Sequence, residues 1–427
     1  MNRIKSMRLV MKFGGTSVAD IERMHNVANH IAREVAAGHE VAVVVSAMAG
    51  ETNRLVNLTR RAQITDKHEY DVVVAAGEQV SIGLLAGILQ SKGIAARSWL
   101  GWQVAVHTSD AHSAARIRSI DAGRLQTELA AKRVAIVAGF QGVSGGVSGG
   151  VSGEDEAMRV STLGRGGSDT SAVALAAALA ADRCDIYTDV DGVYTTDPNM
   201  VPQAKRLAQI SYEEMLEMAS LGARVLHTRS VELAMAHHVP LLVRSSFASP
   251  AEDDIIGTLI CDEDDIMEHE IVSGIAYAQN EAKITLLGVD DKPGIAARIF
   301  GPLAQGHVNV DMIVQNISPD SKKTDITFTV SQDELTRALE VIKAHEKDLG
   351  IGSVNTAENM AKVSIIGVGM RSHAGVAQKM FDELGAENIN IHVISTSEIK
   401  VSVLIDADYA ELAVRRLHAA YGLDAPA

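Results

Sequence analysis

The chain has 427 residues, 47% of them hydrophobic and 22% charged, enough for two or three globular domains with substantial cores. Its 54 acidic against 39 basic side chains give a net charge of −15, the wrong sign for a non-specific binder of nucleic acid or of an anionic membrane. Aromatics at 4% beside 35 glycines suit packed α/β layers better than an aromatic-rich β-sandwich, and Cys184 and Cys261 make neither a disulfide framework nor a zinc set.

The opening MNRIKSMRLVMKF has no uninterrupted apolar core before a cleavage site, because Arg8 and Lys12 break it, and no run reaches about 18 apolar residues. The expected location is the cytoplasm. Residues 9–13 predict a short buried strand, followed by a turn at Gly14-Gly15-Thr16-Ser17. Asp20 predicts the cap of a helix through about Ala36, in which Ile21, Met24, Val27, Ala28 and Ile31 recur at helical spacing. Residues 41–45 (VAVVV) lack alternation and predict a strand buried on both faces. Further strands are expected at 133–138, 184–188 and 239–243, with helices over 78–91 and 170–181. Continuous apolar strands alternating with helices predict a mostly parallel sheet covered on both faces, occupying residues 1–250.

The stretch GVSGGVSGGVSGE, from Gly142 to Glu154, predicts a flexible exposed excursion, either a lid or a neutral insertion. Between Ala251 and Ala282 there is no Lys or Arg, while acidic residues crowd together (Glu252, Asp253, Asp254, Asp262, Glu263, Asp264, Asp265). This reads as a solvated linker over 251–270, with a carboxylate metal site as the alternative. Beyond it the chain repeats itself: KITLLGVDDKPGIAARIFGPLAQGHVNVDMIVQN from Lys283 matches KVSIIGVGMRSHAGVAQKMFDELGAENINIHVIST from Lys362. Lys283 aligns with Lys362, Gly288 with Gly367, Gly294 with Gly375 and Asn309 with Asn390. Each copy reads strand, glycine turn, helix, strand, then a third strand and a second helix, the βαββαβ ferredoxin-like pattern written twice.

Four motifs carry candidate chemistry. In Lys12-Phe13-Gly14-Gly15, two glycines let backbone N–H groups approach phosphate oxygens and the lysine adds a mobile positive charge. It is not a Walker loop, and no strict G-x-G-x-x-G occurs. In Leu163-Gly164-Arg165-Gly166-Gly167-Ser168-Asp169-Thr170, Ser168 or Asp169 is the expected helix cap, and Arg165 offers a bidentate fork to an anion near a positive helix end. Glu78, in AAGEQVS, stands near a helix start. The run Thr188-Asp189-Val190-Asp191-Gly192-Val193-Tyr194-Thr195-Thr196-Asp197 follows a strand, where ligands of open parallel sheets lie.

KFGGTSV, VVSAM, AAGEQVS, TLGRGGSDT, TDVDGVYTTDP and the tail SHAGV to STSEIKVSVLI closely resemble the aspartokinases, collinearly from about Leu9 to the C-terminus. The resemblance implies an amino-acid-kinase catalytic domain, a three-layer α/β/α sandwich, followed by ACT modules at 271–350 and 351–427. It implies ATP-dependent phosphorylation of the L-aspartate side-chain carboxylate, with Mg²⁺ held mainly through the nucleotide phosphates. The product, 4-phospho-L-aspartate, leads toward lysine, threonine, methionine and diaminopimelate. Lys12, Phe13, Gly14, Gly15 and Ser46 would meet the phosphates, and Thr188, Asp189, Tyr194 and Asp197 would line the nucleotide pocket. Lys12 and Asp169 would be catalytic. Thr52 and Glu78 would contact aspartate, Glu78 pairing with the substrate ammonium, and Arg165 would clamp the α-carboxylate; Gly166, Gly167 and Ser168 would also bind substrate, Ser168 organising the reacting centre with Asp169. Arg224 stands where the family often has a lysine, and is a possible ATP contact.

For the repeats, the resemblance implies an effector pocket from Asp291, Lys292, Pro293, Gly294, Ile295, Ala296, Asn309, Val310, Asp311 and Gln315. Val376, Ala377, Asn390, Ile391, Thr396 and Ser397 fall at corresponding or facing positions. Asp311 would pair with an effector ammonium, and His392 replaces it in the second copy. The expected effectors are lysine and threonine, singly or jointly. Expected assemblies are a homo-oligomer through the ACT modules or a heterotetramer with a separately translated ACT subunit begun at a position such as Met267. No nucleic-acid or membrane partner is expected. A kinase for glutamate, acetylglutamate or a nucleotide, and a catalytically silent amino-acid sensor, are the competing readings.

Overall fold

A computed structural model describes residues 6–145, 158–222, 225–248, 257–267, 270–317 and 323–424. The chain forms two compact units. The first runs to Val193 and resumes at Arg206–Ala219 and in the stretch ending at Met267; the second takes Tyr194–Lys205, a short piece from Ser220, and the remainder of the chain.

In the first unit, eight strands form one sheet in the order Gln209–Ser211, Thr258–Cys261, Leu241–Ser245, Arg183–Thr188, Arg8–Phe13, Glu40–Val45, Val134–Ala138, Ala96–Trp99. All neighbours are parallel except Leu241–Ser245 with Thr258–Cys261. The central strands are buried along almost their whole length, as expected of a sheet sandwiched between helices. On one face the helices Ile21–Ala36 and Ala76–Ser91 pack on Met11, Phe13, Val43, Val45 and Ile136. Asp20 caps the first of these helices by accepting the Arg23 N–H at 2.8 Å, as expected. Side chains alternate along a strand, so Lys12 emerges on the opposite face, where the helix Gly167–Leu179 packs against the same strand. The stretch Lys67–Ser91 is long and apolar enough to cross a membrane, but 50% of its most apolar window is buried inside the protein.

Two expectations change here. The acidic stretch is not wholly a linker: Thr258–Cys261 is an interior strand of the main sheet, because these four residues carry no charge and the acidic ones stand to either side. The Gly/Ser/Val repeat is not wholly an excursion: Gln141–Ser144 is a buried strand paired with Arg159–Thr162, in a four-stranded sheet with Ile117–Ile120 and Val106–Thr108. Residues 146–157 of that repeat lie outside the described residues.

The second unit is one antiparallel sheet of six strands in the order Asp311–Ile317, Lys323–Ser331, Gly274–Asp290, Ser353–Ile366, Lys400–Asp406, Val393–Thr396. The helices Ile295–Gln305 and Leu335–Leu349 cover the first repeat, and Val376–Ala386 and Ala410–Ala420 the second. The boundary expected at 350/351 does not separate the repeats. Residues 353–357 pair with 283–287 and complete the first repeat, whereas Gly274–Ala278 pair with 362–366 and complete the second. Register shifts between Ala278 and Lys283 divide the long strand into two halves that serve different repeats.

Tyr194–Lys205 belongs to this second unit. Thr195 O accepts the Ile275 N–H at 2.7 Å, Thr195 Oγ1 lies 2.9 Å from His418 Nε2, and Val201 is buried in the second repeat's core. Burial lowers the pKa of His418, in keeping with a neutral ring that accepts from the threonine hydroxyl.

Candidate active site

Three adjacent parallel strands end together, and their C-terminal turns open a cleft of about 840 Å³. Lys12, Gly14, Gly15 and Thr16 come from the central strand, Ser46 to Gly50 from its neighbour Glu40–Val45, and Thr188 and Asp189 from Arg183–Thr188. Thr52, Glu78, Arg165, Gly166, Gly167, Ser168 and Asp169 complete the expected set. The ammonium at the end of the opening strand and the guanidinium of the later glycine turn therefore face one space.

Lys12 is 8% exposed, and its Nζ lies 2.5 Å from Asp169 Oδ1. Asp169 stands in the first turn of Gly167–Leu179, not at its cap. The N-cap is Gly166, at φ 68°, and no side chain caps the helix. The expected cap at Ser168 or Asp169 is thus corrected: the tight glycine turn brings the chain into the helix earlier. Both side chains are left to the cleft, and first-turn N–H groups remain for an anion. Only glycine suits position 166, since a β-carbon there would lie 2.3 Å from the His227 ring. Arg165 is exposed and makes no ion pair among the described residues, so its fork is free.

Glu78 is 2% exposed. Its Oε1 accepts the Ala47 N–H at 3.1 Å, while Oε2 is buried without a hydrogen-bond partner. Burial pushes its carboxyl up to about 7, against the pull of its own and Ala47's N–H groups. An orphaned buried carboxylate oxygen in a cleft suits a ligand ammonium.

Some expected residues are elsewhere. The Phe13 ring is fully buried and stacks on Tyr187 at 4.6 Å, so its side chain belongs to the core, and the residue is not in the cleft's lining. Its carbonyl accepts the Ser46 N–H at 3.1 Å and so fixes the neighbouring turn. Tyr194 and Asp197 are not among the cleft's lining residues. They lie in the segment that packs with the second unit, where Asp197 Oδ2 accepts from Tyr277 OH at 3.4 Å. Arg224 lies outside the described residues. The cleft also holds residues that no motif marked, among them Arg60, Tyr70, Ser113 and Phe140. Ser113 and Phe140 have φ of 67° and 65°, a backbone state that only glycine or asparagine would have signalled.

In the second unit, Gly294 and Gly375 play the same part, each opening a helix from a left-handed N-cap. The opening lysines cross over: Lys362 pairs with Asp311, and Lys283 Nζ lies 3.4 Å from His392 Nδ1. Asp311, expected to await an effector ammonium, is already paired with an ammonium from the other repeat, and this pair pulls against burial to lower its carboxyl pKa. Ile295, Val310, Val376, Ala377 and Ile391 contribute to the two cores, whereas Asn309, Gln315, Asn390, Thr396 and Ser397 are exposed. Lys292 and Lys323 hold Asp290 down to about 2, beside Asp291 and Pro293, before the helix that Ile295 and Ala296 begin.

A three-layer α/β body that gathers an ammonium, a guanidinium and uncapped helix amides at its strand ends defines an enzyme acting on small anionic substrates. Residues 7–245 match the amino acid kinase family, and residues 284–345 and 363–421 match the ACT domain. An aspartate kinase of Stutzerimonas stutzeri is 53% identical over 423 residues, 98% of each chain. Aspartokinase III of E. coli, solved with aspartate and ADP, is 28% identical with a TM-score of 0.76, covering 96% of this chain and 99% of that one. Its complex with lysine and aspartate has a TM-score of 0.73 at 28% identity, covering 96% and 98%. The chain belongs to the amino acid kinase family and, within it, to the aspartokinases with two ACT modules.

Proposed function

We propose that the chain transfers the γ-phosphoryl group of ATP to the side-chain carboxylate of L-aspartate, giving 4-phospho-L-aspartate and ADP. The observation that carries this reading is the convergence of Lys12, Arg165 and the orphaned Glu78 oxygen on one cleft. Glu78 binds the substrate ammonium and Arg165 its α-carboxylate, which aims the β-carboxylate at the phosphate end. There an oxygen of that carboxylate gives its electron pair to the γ-phosphorus, and the bond to the β-phosphate oxygen breaks. ADP leaves with the electron pair of the broken bond. The acceptor's reference pKa is about 3.9, so it is already ionised and no general base is needed. The obstacle is repulsion between two anions, and Lys12 with the first-turn amides of Gly167–Leu179 offsets it.

Among the described residues no three His, Cys, Asp or Glu gather as a metal cage. The donor set, with Asp169 and Asp189 at the cleft, instead suits Mg²⁺ carried on the nucleotide phosphates and steadied by one or two carboxylates. When bound, that ion neutralises phosphate charge. Incubation with MgATP, candidate amino acids and hydroxylamine tests the reaction, because acyl phosphates are trapped as coloured hydroxamates. Aspartate-dependent colour supports it; glutamate-dependent colour or none overturns it in favour of the related kinase or the silent sensor.

The two ACT modules support feedback control by lysine, threonine or both, at the first step toward lysine, threonine, methionine and diaminopimelate, in the cytoplasm. A homo-oligomer through these modules, or a heterotetramer with a separate ACT subunit, would carry it. Millimolar lysine and threonine, alone and mixed, should lower the rate through a coupling of about 1–3 kcal/mol; an unchanged rate under all three conditions sinks this part.

A further inference from the structure

Two cleft residues, Ser113 and Phe140, hold a costly left-handed backbone, and the first lies in a loop whose role no motif explains. Ser113, at φ 67°, occupies the left-handed region that a β-carbon disfavours. Asp71 holds it there: the Ser113 N–H donates to both carboxylate oxygens, at 3.2 and 3.1 Å. Asp71 is wholly buried. It also accepts the Thr162 N–H at 3.0 Å and the Thr162 hydroxyl at 2.6 Å, and lies 2.8 Å from His112 Nδ1. The Ser113 carbonyl is packed onto the residue before Arg165, for a β-carbon on Gly164 would lie 3.1 Å from that oxygen. Asp71 thus clamps the Ser113 loop against the arginine turn. The Ser113 hydroxyl makes no hydrogen bond among the described residues, and the residue lines the cleft with Thr52, Glu78 and Arg165.

By holding a strained serine in the cleft, against the arginine turn, the buried Asp71 carboxylate fixes the place of that hydroxyl relative to a bound ligand. We propose that Ser113 is a further substrate contact, donating its hydroxyl to the carboxylate that Arg165 clamps, and that Asp71 is the positioning residue that fixes it. This rests on the aspartate kinase reading above.

The test compares the full chain with Ser113→Ala and Ser113→Gly, using hydroxamate kinetics and calorimetric binding of aspartate. Both variants should raise KM and Kd for aspartate about ten-fold, the loss of one hydrogen bond to a charged group. KM for ATP should move less than about two-fold, since the contact is made only to the amino acid. Ser113→Gly should nevertheless melt higher than Ser113→Ala, because glycine adopts φ 67° without a β-carbon. Asp71→Asn should raise KM for aspartate in the parent chain but add little in the Ser113→Gly background, a non-additivity that a purely structural role would not produce. Parent-like KM and Kd in both Ser113 variants overturn the inference while leaving the kinase reading intact. Absence of aspartate binding and turnover in the parent chain overturns both.

Discussion

Replacing Lys12 by alanine is expected to lower kcat for aspartate phosphorylation by on the order of 10²–10³, with a smaller change in KM for aspartate. Two effects add. The ammonium that offsets charge on the transferring group is lost, and Asp169, 2.5 Å from it, is left as an uncompensated carboxylate facing the incoming phosphates. Breaking a buried pair by removing one partner also destabilises a fold by about 3–5 kcal/mol, so stability has to be measured beside rate. Combining Lys12→Ala with Asp169→Asn should recover part of the stability and little of the rate, since the double variant has no charge left to stabilise the transferring group. A Lys12→Ala enzyme that keeps its kcat within about three-fold would remove this lysine from the chemistry.

The second large effect is at Glu78. Burial lifts its carboxyl from 4.5 to about 7, so the folded chain holds a proton that the unfolded chain has released between those pH values. The sign follows: folding is not penalised below pH 4.5, loses stability as the pH rises, and bears the full cost above about 7. At 1.36 kcal/mol per pH step that cost is about 3 kcal/mol. Glu78→Gln should therefore be more stable than the parent by up to about 3 kcal/mol at pH 8 and nearly equal to it at pH 4, read by denaturant titration at both. The same variant should bind aspartate on the order of 10²-fold more weakly, because the ammonium loses its charged partner. In the parent, kcat/KM for aspartate should climb as Glu78 ionises up to about pH 7, and the glutamine variant should lack that limb. A variant that is less stable at pH 8, or that keeps the limb, would contradict the assignment. More stability with less binding is the pattern of a site whose strain serves the ligand.

Much of this protein was legible before any coordinates. The opening strand, the VAVVV strand, the Asp20 cap and the doubled βαββαβ pattern lie within a few residues of where local pattern places them. The glycine turns that feed Lys12 and Arg165 into the cleft were equally visible. What local pattern misjudged were positions whose state is set by a distant partner. Thr258–Cys261 looks like part of an acidic connector until it is paired with Leu241–Ser245. Phe13 looks like part of a phosphate turn until Tyr187 covers its ring. Ser168 and Asp169 look like caps until Gly166 starts the helix ahead of them.

By itself, then, the sequence determined the elements, the two kinds of module and the identity of the charged groups available for anion chemistry, because these depend on residue type and on spacing within one turn or one strand. Only the tertiary structure decided that Lys12 meets Asp169, that Glu78 keeps one oxygen unpartnered, that Asp71 holds Ser113 and that the two repeats lend each other a strand. Each of those outcomes joins residues far apart in the chain. Its energy comes from burial and hydrogen bonding that no local window contains.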